Sequence, residues 1–293
     1  MSTIRAFVTR RPGATYLALT FAISWGGALL AIGGSGGMRG TTPTSDPRFV
    51  YALMAMLAGP TAAGILLTGV VHGRTGCHEF LSRLITWRVG AMWYAVVLLT
   101  APVVMTATLF ALSLGSSEFL PGIFASDQKA ALLLVSLAVG LSAGVFEELG
   151  WTGFAIPTLR RRYGVPATGF IVGIWWSTWH LLPNVWASRA ASGELAVSVF
   201  LAATGIGLFV GYLTAYRVLM VWVYDRTRSL VVSMLMHASF TASLLILNPV
   251  GISGAHLLSY SFALAIAVWV VVGAVVLASG RHLSRPSLRR RMA

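Results

Sequence analysis

Eight apolar stretches of bilayer-spanning length recur along this chain, and they limit its fold before any single residue is considered. They fall near residues 15–33, 49–71, 91–114, 130–157, 167–183, 195–216, 229–247 and 259–279. A hydrocarbon core about 30 Å thick needs ~20 apolar residues of helix. Lipid offers the backbone no hydrogen-bond partners, so repeated spanning runs fold as helices packed together. The expected fold class is all-α, a polytopic transmembrane helical bundle of about eight helices. Residues 1–293 are expected to form a single transmembrane domain, with the chemistry concentrated in a core of about 130–248. Charged residues make up 10% of the chain, where soluble domains carry about 25%, so a soluble fold is excluded. The run Val218–Tyr224 reads as a cap or interfacial stretch beyond the sixth helix, and Gly59-Pro60 is expected to kink the second.

The formal charge of +13 would suggest nucleic acid in a soluble protein, but its distribution argues against that. Four basic residues, Arg39, Arg48, Lys129 and Arg189, fall on one set of loops. The other 17 of the 21 fall in the N-terminal segment, after helices 2, 4 and 6, and in the C-terminal tail. Basic loops stay in the cytoplasm, so the expectation is a multi-pass cell-membrane protein with both termini cytoplasmic. The tail Arg289-Arg290-Arg291 is expected to lie over anionic lipid headgroups. Arg10-Arg11 imitates a twin-arginine signal, but no cleavage site closes the apolar run that follows, so it reads as a retained first helix. The single cysteine, Cys77, excludes an intrachain disulfide and reads as a free thiol in a reducing compartment. The Ala-, Gly- and Arg-rich composition looks bacterial.

Against this background a few residues do not belong. An ionisable side chain at membrane depth is costly and marks a functional site by default. Glu147 and Glu148 sit side by side in the fourth run, His180 near the end of the fifth, and His237 in the seventh. Glu147 and His237 lie about eight residues from the inner ends of their helices, roughly 12 Å at the helical rise. All three depths are compatible with one cavity. Residues four apart share a helical face, which joins Glu147 to Trp151, Glu148 to Thr152, Trp176 to His180 and His237 to Thr241. The apolar runs offer almost no basic residue at that depth, so the glutamates are expected to be protonated, to face a hydrated cavity or to pair with the histidines. A carboxylate beside an imidazole can deprotonate water. A second imidazole and a hydroxyl can support a developing oxyanion. One glutamate and two histidines, Glu147, His180 and His237, could instead hold a zinc ion with an open position, and spacing does not decide between the two. Trp151, Trp175, Trp176 and Trp179 are candidates for a greasy entrance.

These residues resemble a known family. Glu147-Glu148-Leu-Gly-Trp-Thr152, Trp176-x-x-x-His180 and His237-x-x-x-Thr241 are similar to the three motifs of the CAAX-protease and bacteriocin-processing membrane endopeptidases, the Rce1-like or ABI family: E-E-x-x-x-R, F-x-x-x-H and H-x-x-x-N. The resemblance covers about 130–248. It implies that Glu147 activates the attacking water, His180 helps hold it, His237 supports the oxyanion and Glu148 supports the site. It also implies a membrane-associated or lipidated peptide as substrate, and leaves a divalent metal such as zinc as an open cofactor. Two positions depart from the motifs: Thr152 stands for the arginine and Thr241 for the asparagine. The first departure removes the nearest cation for Glu148, which is then expected to be protonated or paired with Arg160 or Arg161. These departures motivate an alternative, a catalytically silent scaffold or bacteriocin-immunity protein. A proton-coupled transporter using Glu147, Glu148 and His237 is a further alternative, disfavoured by the lack of an evident repeat. Ser253 and His256 in Gly-Ile-Ser-Gly-Ala-His imitate a serine-protease motif but share one loop, and a Gly/Ser turn accounts for them.

Overall fold

A computed structural model describes residues 3–38, 41 and 46–280. The chain is helical, with no strand among the described residues. The elements are α1 (Thr3–Arg10), α2 (Pro12–Ile32), α3 (Phe49–Leu67), α4 (Gly73–Leu84), α5 (Ala91–Ser113), α6 (Gly122–Ala125), α7 (Lys129–Gly150), α8 (Ile156–Arg160), α9 (Val165–Trp179), α10 (Leu181–Ala191), α11 (Val197–Val210), α12 (Tyr212–Thr227), α13 (Leu230–Leu247) and α14 (Gly254–Ser279). Two π-helical turns, Thr68–His72 and Trp151–Ala155, join α3 to α4 and α7 to α8. Seven helical stretches among the described residues are long and apolar enough to cross a membrane.

Two expectations about the helices change. The fifth run is α9, only 15 residues long, and it stops at His180. The reason is Pro183, which has no N–H to give the Trp179 carbonyl. That carbonyl instead accepts the indole N–H of Trp25 at 3.0 Å. The sixth run divides at Gly211 into α11 and α12. Val218–Tyr224 is therefore no cap. It lies in the middle of α12, where every residue from Leu213 to Val221 is buried. A helix covered on all sides belongs at the centre of a bundle, and α12 packs against α9, α13 and α14.

Close helix approach sets the geometry around this centre. Lipid provides little drive for helices to associate, so contact depends on small residues that let backbones meet. Gly140 and Gly144 of α7 face α13; a Cβ on Gly144 would sit 2.4 Å from the Met234 carbonyl oxygen. Gly169 and Gly173 of α9 face α12; a Cβ on Gly173 would sit 2.8 Å from Thr214 Cα. The first contact draws Glu148 towards His237, and the second draws Trp176 over Arg217.

Basic residues gather at one end. Arg83 donates to Tyr224 Oη at 2.8 Å, Arg160 pairs with Asp225 at 2.8 Å, and Arg161 Nη2 lies 3.5 Å from His72 Nδ1. Helix α1, with Arg5 and Arg10, packs on the 68–72 turn at this same end. The basic tail and Arg39 lie outside the described residues. Cys77 is free and exposed.

Candidate active site

Helix α7 brings its two adjacent glutamates to different surroundings, as the ~100° step of a helix requires. Glu147, 3% exposed, faces a cavity of about 610 Å³. Glu148, fully buried, faces α12 and α13 and lines no part of that cavity. The turn that follows is π-helical because Pro157 cannot donate to the carbonyl of Gly153. Such turns often accompany functional sites.

The cavity gathers Glu147 from α7, His180 from the α9–α10 junction, and His237 and Thr241 from α13. Its remaining wall is mostly apolar, with Phe49, Phe146, Trp179 and Trp186 among its residues. Glu147 Oε2 accepts the Trp176 indole N–H at 2.7 Å, and Oε1 lies 3.8 Å from His237 Nε2. His180 Nδ1 lies 2.8 Å from the carbonyl oxygen of Trp176. A carbonyl only accepts, so Nδ1 carries the proton and Nε2 keeps its lone pair in the neutral ring. Trp179 packs edge-on against His180, with ring centroids 4.8 Å apart.

Behind the cavity sits a buried polar cluster centred on Glu148. His237 Nδ1 lies 2.7 Å from Glu148 Oε1. Thr152 donates its hydroxyl to Oε2. Arg217 Nη1 donates to both oxygens, at 2.8 and 2.9 Å. Its guanidinium carbon stands 4.1 Å from the Trp176 ring centroid.

The expectation that Glu148 is protonated or paired with Arg160 or Arg161 is thus corrected. Arg160 is engaged with Asp225 and Arg161 lies against His72. The partner is Arg217, a residue counted from sequence among the loop cations. It was misplaced because the sixth helix was ended at residue 216. The apolar residues on both sides of it, Ala-Tyr-Arg217-Val-Leu-Met, were the available signal. Thr152 stands where the family motif has arginine, and here the cation beside Glu148 comes from α12 instead. Trp151 is buried against Tyr16 and Trp179 and lies away from the cavity, as does Trp175. Trp176 and Trp179 do line it.

The metal-ligand set considered from sequence was Glu147, His180 and His237. Among the described residues, no three His, Cys, Asp or Glu side chains converge as a metal ion requires. His180 Nδ1 and His237 Nδ1 are already held by Trp176 and Glu148. Anchoring at Nδ1 leaves Nε2 of each ring clear of those partners, an arrangement that metal-ligating histidines also use.

Comparison with known proteins agrees with the motif resemblance. Residues 129–243 match the family model described as type II CAAX prenyl endopeptidase Rce1-like. The chain is also similar to a CAAX prenyl protease 2 of Methanococcus maripaludis, with 31% identity over 124 residues. That match takes in 40% of this chain and spans 44% of the relative's length.

Proposed function

We propose, from the match of residues 129–243 to the Rce1-like family model, that this membrane protein is an endopeptidase that hydrolyses a peptide bond in a prenylated, membrane-associated substrate. One observation carries the reading: Glu147, His180, His237 and Thr241, drawn from three parts of the chain, share one largely apolar cavity.

In the proposed mechanism the attacking water sits between Glu147 Oε1 and His180 Nε2. Trp176 fixes the other carboxylate oxygen and so aims Oε1. Glu147 takes one water proton as the oxygen attacks the carbonyl carbon. The tetrahedral oxyanion is met by the Thr241 hydroxyl and by the His237 ring, which Glu148 holds at Nδ1. Collapse breaks the C–N bond, and Glu147 returns its proton to the leaving amine. Atoms and charge balance without a covalent intermediate. The apolar wall suits a lipidated peptide, with both chain termini and the basic end of the bundle in the cytoplasm.

The test is cleavage of an internally quenched farnesylated CAAX-type peptide by the purified protein in liposomes. Glu147→Gln should lower turnover by about 10²–10⁴-fold, the usual contribution of a general base, while the variant stays folded. Equal turnover by wild type and a folded Glu147→Gln would refute the mechanism. No new peptide termini in membranes carrying the wild type would favour a silent scaffold.

A further inference from the structure

A fully buried guanidinium demands explanation. Arg217 is 0% exposed, and its partner Glu148 is 0% exposed as well. Breaking such a pair is costly, yet replacing the whole pair with apolar residues is often neutral or stabilising. Stability alone therefore gives little reason for the pair to be here. Its geometry does more than neutralise a charge. Nη1 holds Glu148, while Nε and Nη2 have no hydrogen-bond partner among the described residues. Instead the guanidinium lies over the Trp176 ring at 4.1 Å. An arginine plane stacks on an indole in a way that a lysine ammonium does not reproduce. Two contacts thus run from one side chain towards the cavity. Through Glu148, Arg217 holds His237 by Nδ1. Through Trp176, it holds the indole N–H that orients Glu147.

We propose that Arg217 is a positioning residue of the active site, locking Glu147 and His237 into one relative geometry from outside the cavity. It touches neither substrate nor water. Its effect on hydrolysis rests on the endopeptidase reading above, whereas its effect on the geometry does not. Since Thr152 gives Glu148 only a hydroxyl, α12 supplies the cation the cluster needs.

The experiment compares Arg217→Leu, Arg217→Lys, Glu148→Gln and the double variant Glu148→Gln with Arg217→Leu, in the full-length chain. Three quantities are read: thermal unfolding in detergent, turnover of the farnesylated peptide, and the ¹H–¹⁵N resonance of the Trp176 indole, assigned with Trp176→Phe. Arg217→Leu should lower both thermal stability and turnover, the latter by about 10²-fold, as for a misplacement near 1 Å. Arg217→Lys should keep the charge, lose the stacking, move the indole resonance and lower turnover. Glu148→Gln alone should leave the indole resonance near its wild-type position, because Arg217 still covers the ring. The double variant contains no unpaired buried charge, so its stability should recover; its indole resonance should stay displaced and its turnover remain at least ~10-fold down. If the double variant recovers wild-type turnover and indole position together with stability, Arg217 only neutralises Glu148 and the proposal is overturned. If the wild type leaves the peptide uncut, the endopeptidase reading fails, and the indole resonance still decides the positioning role: an unmoved signal in the double variant overturns it.

Discussion

Gly144→Ala tests whether the site depends on how closely α7 and α13 approach. The added Cβ would stand 2.4 Å from the Met234 carbonyl oxygen and 3.0 Å from the Ala238 amide nitrogen. The nearer atom is backbone, so no side chain can swing aside. An ordinary contact starts near 3.4 Å, so the helices must part by about 1 Å. Glu148 and His237 span the same seam one turn further along, at 2.7 Å. A comparable separation there takes the pair beyond hydrogen-bond distance, freeing the ring that faces Glu147. A 1 Å misplacement costs roughly 10²-fold in rate. Overpacking costs about 1–3 kcal/mol, offset by about 1 kcal/mol because alanine favours helix over glycine. The net loss of stability is small, so the variant folds and its activity is measurable. The assay is turnover of the farnesylated peptide alongside thermal unfolding in detergent. Gly273→Ala on α14 serves as control, because no atom lies within 4 Å of its Cβ position, and it should leave turnover unchanged. Wild-type turnover in Gly144→Ala would refute the reasoning that this glycine sets the site's geometry.

Three further outcomes are expected. Thr241→Val keeps the shape of the side chain and removes its hydroxyl; turnover should fall by about 10²–10³-fold, the loss seen for one oxyanion donor, with unfolding temperature nearly unchanged. Asp225→Asn should destabilise the protein by about 1–3 kcal/mol, the range for hydrogen bonds to a charged group, because it removes the carboxylate charge from Arg160, which is 2% exposed and keeps its bond to the Tyr163 carbonyl; denaturant titration reads this, and turnover per folded molecule should hold. Because the proposed mechanism activates water with Glu147 and His180 alone, dialysis against EDTA should leave peptide cleavage intact; a loss restored by added zinc would show that a metal takes part.

Much of the candidate site was legible in the primary structure. Glu147, His180, His237 and Thr241 stand out because lipid penalises each polar group, and no surface role explains polar residues inside apolar runs. Their meeting in one cavity follows the depths read from helix lengths. Trp176 was legible as the aromatic one turn before His180 and as a candidate entrance wall, but not as a partner of Glu147. Its bond to Glu147 depends on the rotation of α9 against α7, which no local period encodes.

The all-helical membrane class, the helices that carry the polar residues and the bias of positive charge can all be read from the order of residues alone. The physical reason is that solvation by lipid acts residue by residue and leaves its mark in composition and run length. That the fifth helix stops at His180 depends on the three-dimensional packing, because the Trp179 carbonyl that Pro183 cannot satisfy accepts from the Trp25 indole on a distant helix. The same packing sets Arg217 at the bundle's centre beside Glu148, because the pairing runs between residues 69 apart and depends on how closely glycine lets the helices approach.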